Sequence, residues 1–142
     1  MQGAGQDHPH IIVADDTEVV RLTVSYLIHR FYPGANLTVV NNGYEALQSH
    51  NHHPAALILT DHWMPVMSGI ELLQTIRGRR DLTPVIVMSG DASIAPSVTA
   101  RHAARFIYKP FSVRQLQDVA LALLPPNYRV ITWTIPDFKE EC

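Results

Sequence analysis

Two adjacent carboxylates, Asp15 and Asp16, one further carboxylate, Asp61, and one ammonium, Lys109, each stand directly after a short apolar run: HIIVA, ALILT and RFIY. Such runs read as strands buried on both faces. If those strands are parallel neighbours, the charges meet at one edge of the sheet, where open α/β sheets bind ligands. Adjacent carboxylates do not both ionise comfortably without a cation, and Asp61 adds to the repulsion. Mg²⁺ relieves it and also favours phosphate oxygens, with Mn²⁺ as a substitute. Lys109 offers a point charge for phosphate oxygens. Ser89, after PVIVM, adds a hydroxyl donor, and Gly90 beside it lets backbone approach closely. An aspartate can attack phosphorus and become an aspartyl phosphate. Metal and lysine would offset charge on the transferring group, so catalysis would be mostly positioning and electrostatics.

The elements that must position these groups follow from periodicity. Ile11–Ala14, Leu37–Val40, Ala56–Thr60, Val85–Met88 and Arg105–Tyr108 read as strands. Helical spacing predicts a first helix near Thr17–Phe31, with Val20, Val24, Leu27 and Phe31 on its inner stripe. Pro33-Gly34 ends it, and Asn42-Gly43 turns the chain before a short helix over Tyr44–His50. A loop holding Pro65 and Gly69 leads to a helix over Ile70–Arg79, with Leu72, Leu73 and Ile76 inward. Ala92–His102 is a weaker helix, because Pro96 is tolerated only near a first turn, within which it still falls if Ser93 is the cap. The last helix starts at Ser112, which forms a capping box with Gln115. Val113, Leu116, Ala120 and Leu123 make its apolar stripe, and Pro125-Pro126 stops it. Five strand–helix units in order predict a parallel sheet with helices on both faces.

The chain has 142 residues, 46% hydrophobic and 17% charged, which suits one soluble domain. A net charge of -2 with no basic stripe offers no direct hold on nucleic acid or anionic membrane. No apolar run approaches the roughly 20 residues of a membrane span. The N-terminus MQGAGQDHPH lacks the pattern of a signal peptide. Cys142 is the sole cysteine, so no internal disulfide forms and a cytoplasmic location is expected. Residues 1–9 read as a flexible lead, 10–126 as the domain and 127–142 as a tail. Within that tail RVITWTI alternates, with Ile131, Trp133 and Ile135 on one side. It is spaced like an extra strand, and the spacing favours an ordered contact over disorder, with homodimer pairing as one form.

Taken in order, IIVADD, LILTDHWMPVMSG, PVIVMSG and FIYKPF resemble the receiver domain of two-component response regulators, of the single-domain chemotaxis type. The resemblance covers about His10 to Leu124. It implies a flavodoxin-like, doubly wound five-stranded parallel sheet of order 2-1-3-4-5 with five helices. Asp61 would be the phosphoacceptor. Asp16, Asp61 and the backbone carbonyl of Trp63 would bind Mg²⁺, with Asp15 acting largely through water. Lys109 and Ser89 would hold the phosphoryl oxygens, and the amides of Trp63 and Gly90 would complete the cradle. Ser89 and Phe106 would be the switch pair, and Pro110 would follow a cis peptide. The donor would be a histidine kinase or histidine phosphotransfer protein. The target would bind the face of the fourth helix, fifth strand and fifth helix.

Three positions depart from the family pattern: Trp63 is large and apolar, Phe106 lacks a hydroxyl, and His102–Arg105 contains no glycine. Trp63 would shield the acyl phosphate and leave the modified state long-lived. Alternatives are a receiver cut from a hybrid kinase or larger regulator, and a metal-dependent phosphatase of aspartyl-phosphate type. The chain has no insertion long enough for a phosphatase cap. A receiver that no longer takes phosphate is disfavoured by the complete polar set. His50, His52 and His53 read as a solvated loop after a helix, in preference to a Zn²⁺ or Ni²⁺ site. His62 would lie on the rim of the site.

Overall fold

The computed structural model describes residues 8–102 and 104–125. Five strands, β1 (His10–Ala14), β2 (Asn36–Val40), β3 (Leu57–Asp61), β4 (Val85–Ser89) and β5 (Arg105–Tyr108), alternate with five α-helices. These are α1 (Glu18–Phe31), α2 (Gly43–His52), α3 (Gly69–Gly78), α4 (Ala95–His102) and α5 (Val113–Leu123). A 3₁₀ turn, Ala92–Ile94, leads into α4. The sheet is parallel throughout, in the order β2-β1-β3-β4-β5. This is the flavodoxin-like arrangement expected. The register sets Ala14 beside Thr60 and Asp61 beside Met88, so β1, β3 and β4 end at one level.

Side chains alternate across a strand, and the two faces build two cores. Ile11, Val13, Leu57, Leu59, Ile86 and Met88 face α1 and α5. Ile12, Ala14, Ile58, Val85 and Val87 face α2, α3 and α4. Every residue of β1, β3 and β4 is buried, which explains their continuous apolar spelling.

Several local expectations need correction. The inner stripe of α1 is Val24, Ile28 and Phe31, with Val20 and Leu27 half-buried at its flanks. Asn42 is the N-cap of α2, its side chain accepting from the Glu45 amide at 2.9 Å, so Asn42-Gly43 starts a helix directly. Asp91, not Ser93, caps the 3₁₀ turn, and Pro96 is the second residue of α4. The Ser112–Gln115 capping box forms as expected, but Val113 is 49% exposed, and the stripe of α5 closes through Leu124. There the Tyr32 hydroxyl donates to the carbonyls of Ala120 and Leu124, tying the end of α1 to the end of α5.

The histidines at the far end of the sheet are structural. His50 and His52 belong to α2, and only His53 follows it. His50 is buried: its Nδ1 accepts the Ala55 amide at 3.0 Å, so Nε2 donates to Asp81 at 2.8 Å. With both nitrogens occupied it is neither a solvated residue nor a free metal ligand. The Thr83 hydroxyl and His50 together outweigh burial and hold the Asp81 carboxyl at about 2. His10 stacks on His53 at 4.5 Å and donates Nδ1 to the His53 carbonyl at 2.7 Å. Residues 127–142, including the expected extra strand and dimer contact, lie outside the described residues. No helix among the described residues is long and apolar enough to cross a membrane.

Candidate metal and phosphoryl site

The strand ends bring together the side chains that the sequence singles out. Asp15 follows β1, Asp61 closes β3, Ser89 closes β4 and Lys109 follows β5. Asp15, Asp16 and Asp61 each offer a carboxylate oxygen, all within 4.8 Å of one another. Asp15 and Asp61 are buried and Asp16 is exposed, so the cluster opens to solvent on one side. Lys109 Nζ donates to Asp61 Oδ1 at 2.9 Å and to Asp15 Oδ2 at 3.3 Å. Asp15 Oδ1 accepts the Thr17 amide at 2.9 Å, which serves the start of α1 where Thr17 itself makes no side-chain cap.

The electrostatics are those of a site short of positive charge. Burial pushes the Asp15 carboxyl up, and the like charge of Asp61 adds to it, against the Thr17 amide and Lys109. Burial acts to lower Lys109, but its hydrogen bond to Asp61 and the charge of Asp15 win, so its pKa is raised. Carboxylate oxygens gathered this closely, one on a fully buried residue, fit a hard divalent cation.

Asp15 therefore weakens the metal-free fold at neutral pH. A carboxyl with a raised folded pKa binds its proton more tightly in the folded state. Its favourable contribution is complete below the unfolded value near 3.8 and is lost as pH rises through the folded value. Asp15→Asn keeps an acceptor for Thr17 and removes the charge. In a chelator at about pH 7 it is expected to raise the Tm, with the gain vanishing near pH 4. Melting curves at the two pH values check this, and a lower Tm at neutral pH would contradict it.

The loop after Asp61 is tightly held. A Cβ on Gly69 would collide with the Asp61 carbonyl oxygen, and one on Gly43 would stand 2.5 Å from the Met67 carbonyl oxygen. Val66 has φ 68°, a left-handed conformation rare for a β-branched residue, and Met67 N–H closes a three-residue turn on Pro65 O at 2.7 Å. Nothing in the spelling of Val66 signals that strain. Trp63 is 66% exposed beside the site. His62 is buried, not on the rim, and its ring packs tilted on Trp63 at 4.7 Å.

On the β4 side, Ser89 is buried and its Oγ accepts the Asp91 amide at 3.0 Å. Gly90 is not required for space here, because an added Cβ would meet nothing nearer than Lys109 O at 4.0 Å. Phe106 is half-buried against the α2–α3–α4 core. The Lys109–Pro110 peptide is cis, and Lys109 N–H donates to Ser89 O at 2.8 Å, joining the loops that carry the two residues.

A family model described as the response regulator receiver domain matches residues 11–121. The chain belongs to this family. Receiver domains are signalling domains of two-component systems, for which aspartate phosphorylation and Mg²⁺ binding are general features. Over 120 residues this receiver is 30% identical to the uncharacterized transcriptional regulatory protein YkoG of Bacillus subtilis, covering 83% of this chain and 52% of that protein. The chain thus spans about half the length of this relative. Its fold matches the receiver domain of the Francisella response regulator 1452 with TM-score 0.70 and 28% identity, over 82% of this chain and 96% of that one. It shares the fold of the receiver domain of the Pseudomonas aeruginosa sensor histidine kinase PA1611 with TM-score 0.69 and 23% identity, over 82% and 97% of the chains. That structure has magnesium coordinated in its active-site cleft.

Proposed function

We propose that this receiver accepts a phosphoryl group on Asp61 from a histidine kinase or histidine phosphotransfer protein, in a Mg²⁺-dependent reaction, and thereby changes the face it presents to a target. The observation that carries this reading is Lys109 Nζ bridging Asp61 and Asp15 within the carboxylate cluster. Asp16, Asp61 and the Trp63 carbonyl would hold Mg²⁺, with Asp15 acting through water. The ion would supply neutralisation of charge shared between the carboxylate and the phosphoryl oxygens.

The remaining steps belong to the chain. An Asp61 oxygen attacks phosphorus while the bond to the donor imidazole breaks. Lys109 passes from the carboxylate to the new phosphoryl oxygens. The Ser89 hydroxyl and the amides of Trp63 and Gly90 complete the cradle. As Ser89 is drawn in, Phe106 repacks and alters the α4–β5–α5 face, a shift between two packings that the phosphoryl group biases. On this reading the only chemistry catalysed is the domain's own phosphorylation and dephosphorylation. The proposed setting is the cytoplasm, with no direct contact between this domain and nucleic acid. Longer relatives named as transcriptional regulators extend beyond the matched region.

Acetyl phosphate with Mg²⁺ is expected to retard the protein on a phosphate-affinity gel, and a chelator to prevent it. Retardation undiminished by the chelator would remove the metal from the scheme. Trp63 is also proposed to screen the acyl phosphate from attacking water. Trp63→Asn should then shorten the lifetime of the modified state about tenfold, equivalent to roughly 1.4 kcal/mol of barrier. Decay of radiolabelled protein measures this, and an unchanged half-life would dismiss the screening role.

A further inference from the structure

His62 is a buried polar group that the phosphoryl scheme leaves unused. It is 9% exposed, and its Nδ1, closed off from water, has no hydrogen-bond partner. Such an atom is unfavourable in a folded protein and calls for a reason. One side of the residue is fixed. Its N–H donates to Met88 O at 3.1 Å, its carbonyl accepts from Gly69 at 2.9 Å, and the Trp63 ring packs on its own.

Its surroundings on the β4 side are looser. The bond from His62 N–H to Met88 O sets the residue against the end of β4, so the Ser89–Gly90–Asp91 loop runs on directly beside it. An added Cβ on Gly90 would meet only Lys109 O, at 4.0 Å, so the loop is not tightly packed at that point. The Asp91 N–H is held at 3.0 Å by Ser89 Oγ, the hydroxyl that the phosphoryl group would recruit.

We propose that His62 is a latch for the modified state. When Ser89 turns its hydroxyl to a phosphoryl group on Asp61, the Asp91 N–H leaves Ser89 Oγ and is accepted by His62 Nδ1. The ring acts as its neutral tautomer with hydrogen on Nε2, which leaves Nδ1 a lone pair. The Asp91 N–H keeps a partner throughout, and the unpartnered nitrogen is satisfied in the modified conformer alone. His62 thus gives that conformer a differential stabilisation, which is what a population shift requires. It is a positioning residue, touching neither phosphate nor metal. The inference rests on Asp61 as phosphoacceptor and Ser89 as the moving group.

The test uses the full chain, ¹⁵N-labelled, with beryllofluoride and Mg²⁺ as a stand-in for the acyl phosphate. The His62 Nδ1 resonance should move in the direction of a nitrogen that accepts a hydrogen bond, and the Asp91 amide should shift with it. His62→Phe, which fills the same space without the nitrogen, should raise the metal-free Tm by roughly 4 °C. It should also reduce the Tm gain produced by beryllofluoride. If Ser89 and Lys109 resonances respond to beryllofluoride while His62 Nδ1 stays put, the latch is overturned and the phosphoacceptor reading stands. If none of them respond, both fall. The nitrogen measurement is made on the native chain, so poor folding of the variant does not shelter the proposal.

Discussion

Asp61→Asn is expected to abolish phosphorylation by acetyl phosphate or a phosphohistidine donor while leaving the domain folded. Asparagine has nearly the shape of aspartate, and its Oδ1 still accepts from Lys109, which now reaches Oδ1 at 2.9 Å. What it loses is the anionic nucleophile. It also removes the like charge that adds to burial in raising Asp15, so the metal-free Tm should match or exceed that of the native chain. A phosphate-affinity gel and a melting curve read the two halves separately. Retardation that survives the substitution would move the nucleophile elsewhere. Loss of retardation with a collapsed Tm would show that the residue acts mainly in folding.

Lys109→Ala should slow phosphorylation by about 10²–10³-fold, the usual consequence of losing one preorganised charge at a site of charge transfer. Its ammonium is the one cation that touches both Asp15 and Asp61 among the described residues. Without it, more of the neutralisation falls to the metal, so the variant should need more Mg²⁺ for half-maximal modification. Lys109→Arg keeps the charge but spreads it over a planar fork, and is expected to rescue little of the rate. Single-turnover rates across a Mg²⁺ series distinguish these effects. A rate within threefold or so of native in Lys109→Ala would contradict the geometry, since that corresponds to only about 0.7 kcal/mol.

Much of this site was legible because buried parallel strands spell themselves as apolar runs. HIIVA, ALILT and PVIVM mark β1, β3 and β4, and the next polar residue in each case lands at the sheet edge. The strand order was less accessible, because periodicity shows faces and not neighbours; it followed from the resemblance. Errors arose where a distant partner decides a residue's fate. His50 looks like a solvated histidine until Asp81, 31 residues on, is seen beside it. His62 follows the last residue of β3, where spacing alone implies the rim, yet Gly69 of α3 packs against its backbone and the residue is buried. Val113 sits on the apolar stripe by spacing, but α5 begins clear of the core and Leu124 closes the packing. Val66 shows the limit from the other side: a β-branched residue argues for extended backbone, and the surrounding loop overrides it.

The most direct measurement chemically maps the modified residue. Protein treated with acetyl phosphate and Mg²⁺ is reduced with borohydride, which converts an aspartyl phosphate to homoserine, and its peptides are sequenced by mass spectrometry. Homoserine at position 61, absent when metal is chelated, is the predicted result. Homoserine at Asp15 or Asp16, or a phosphoryl group stable on a histidine, would contradict the account.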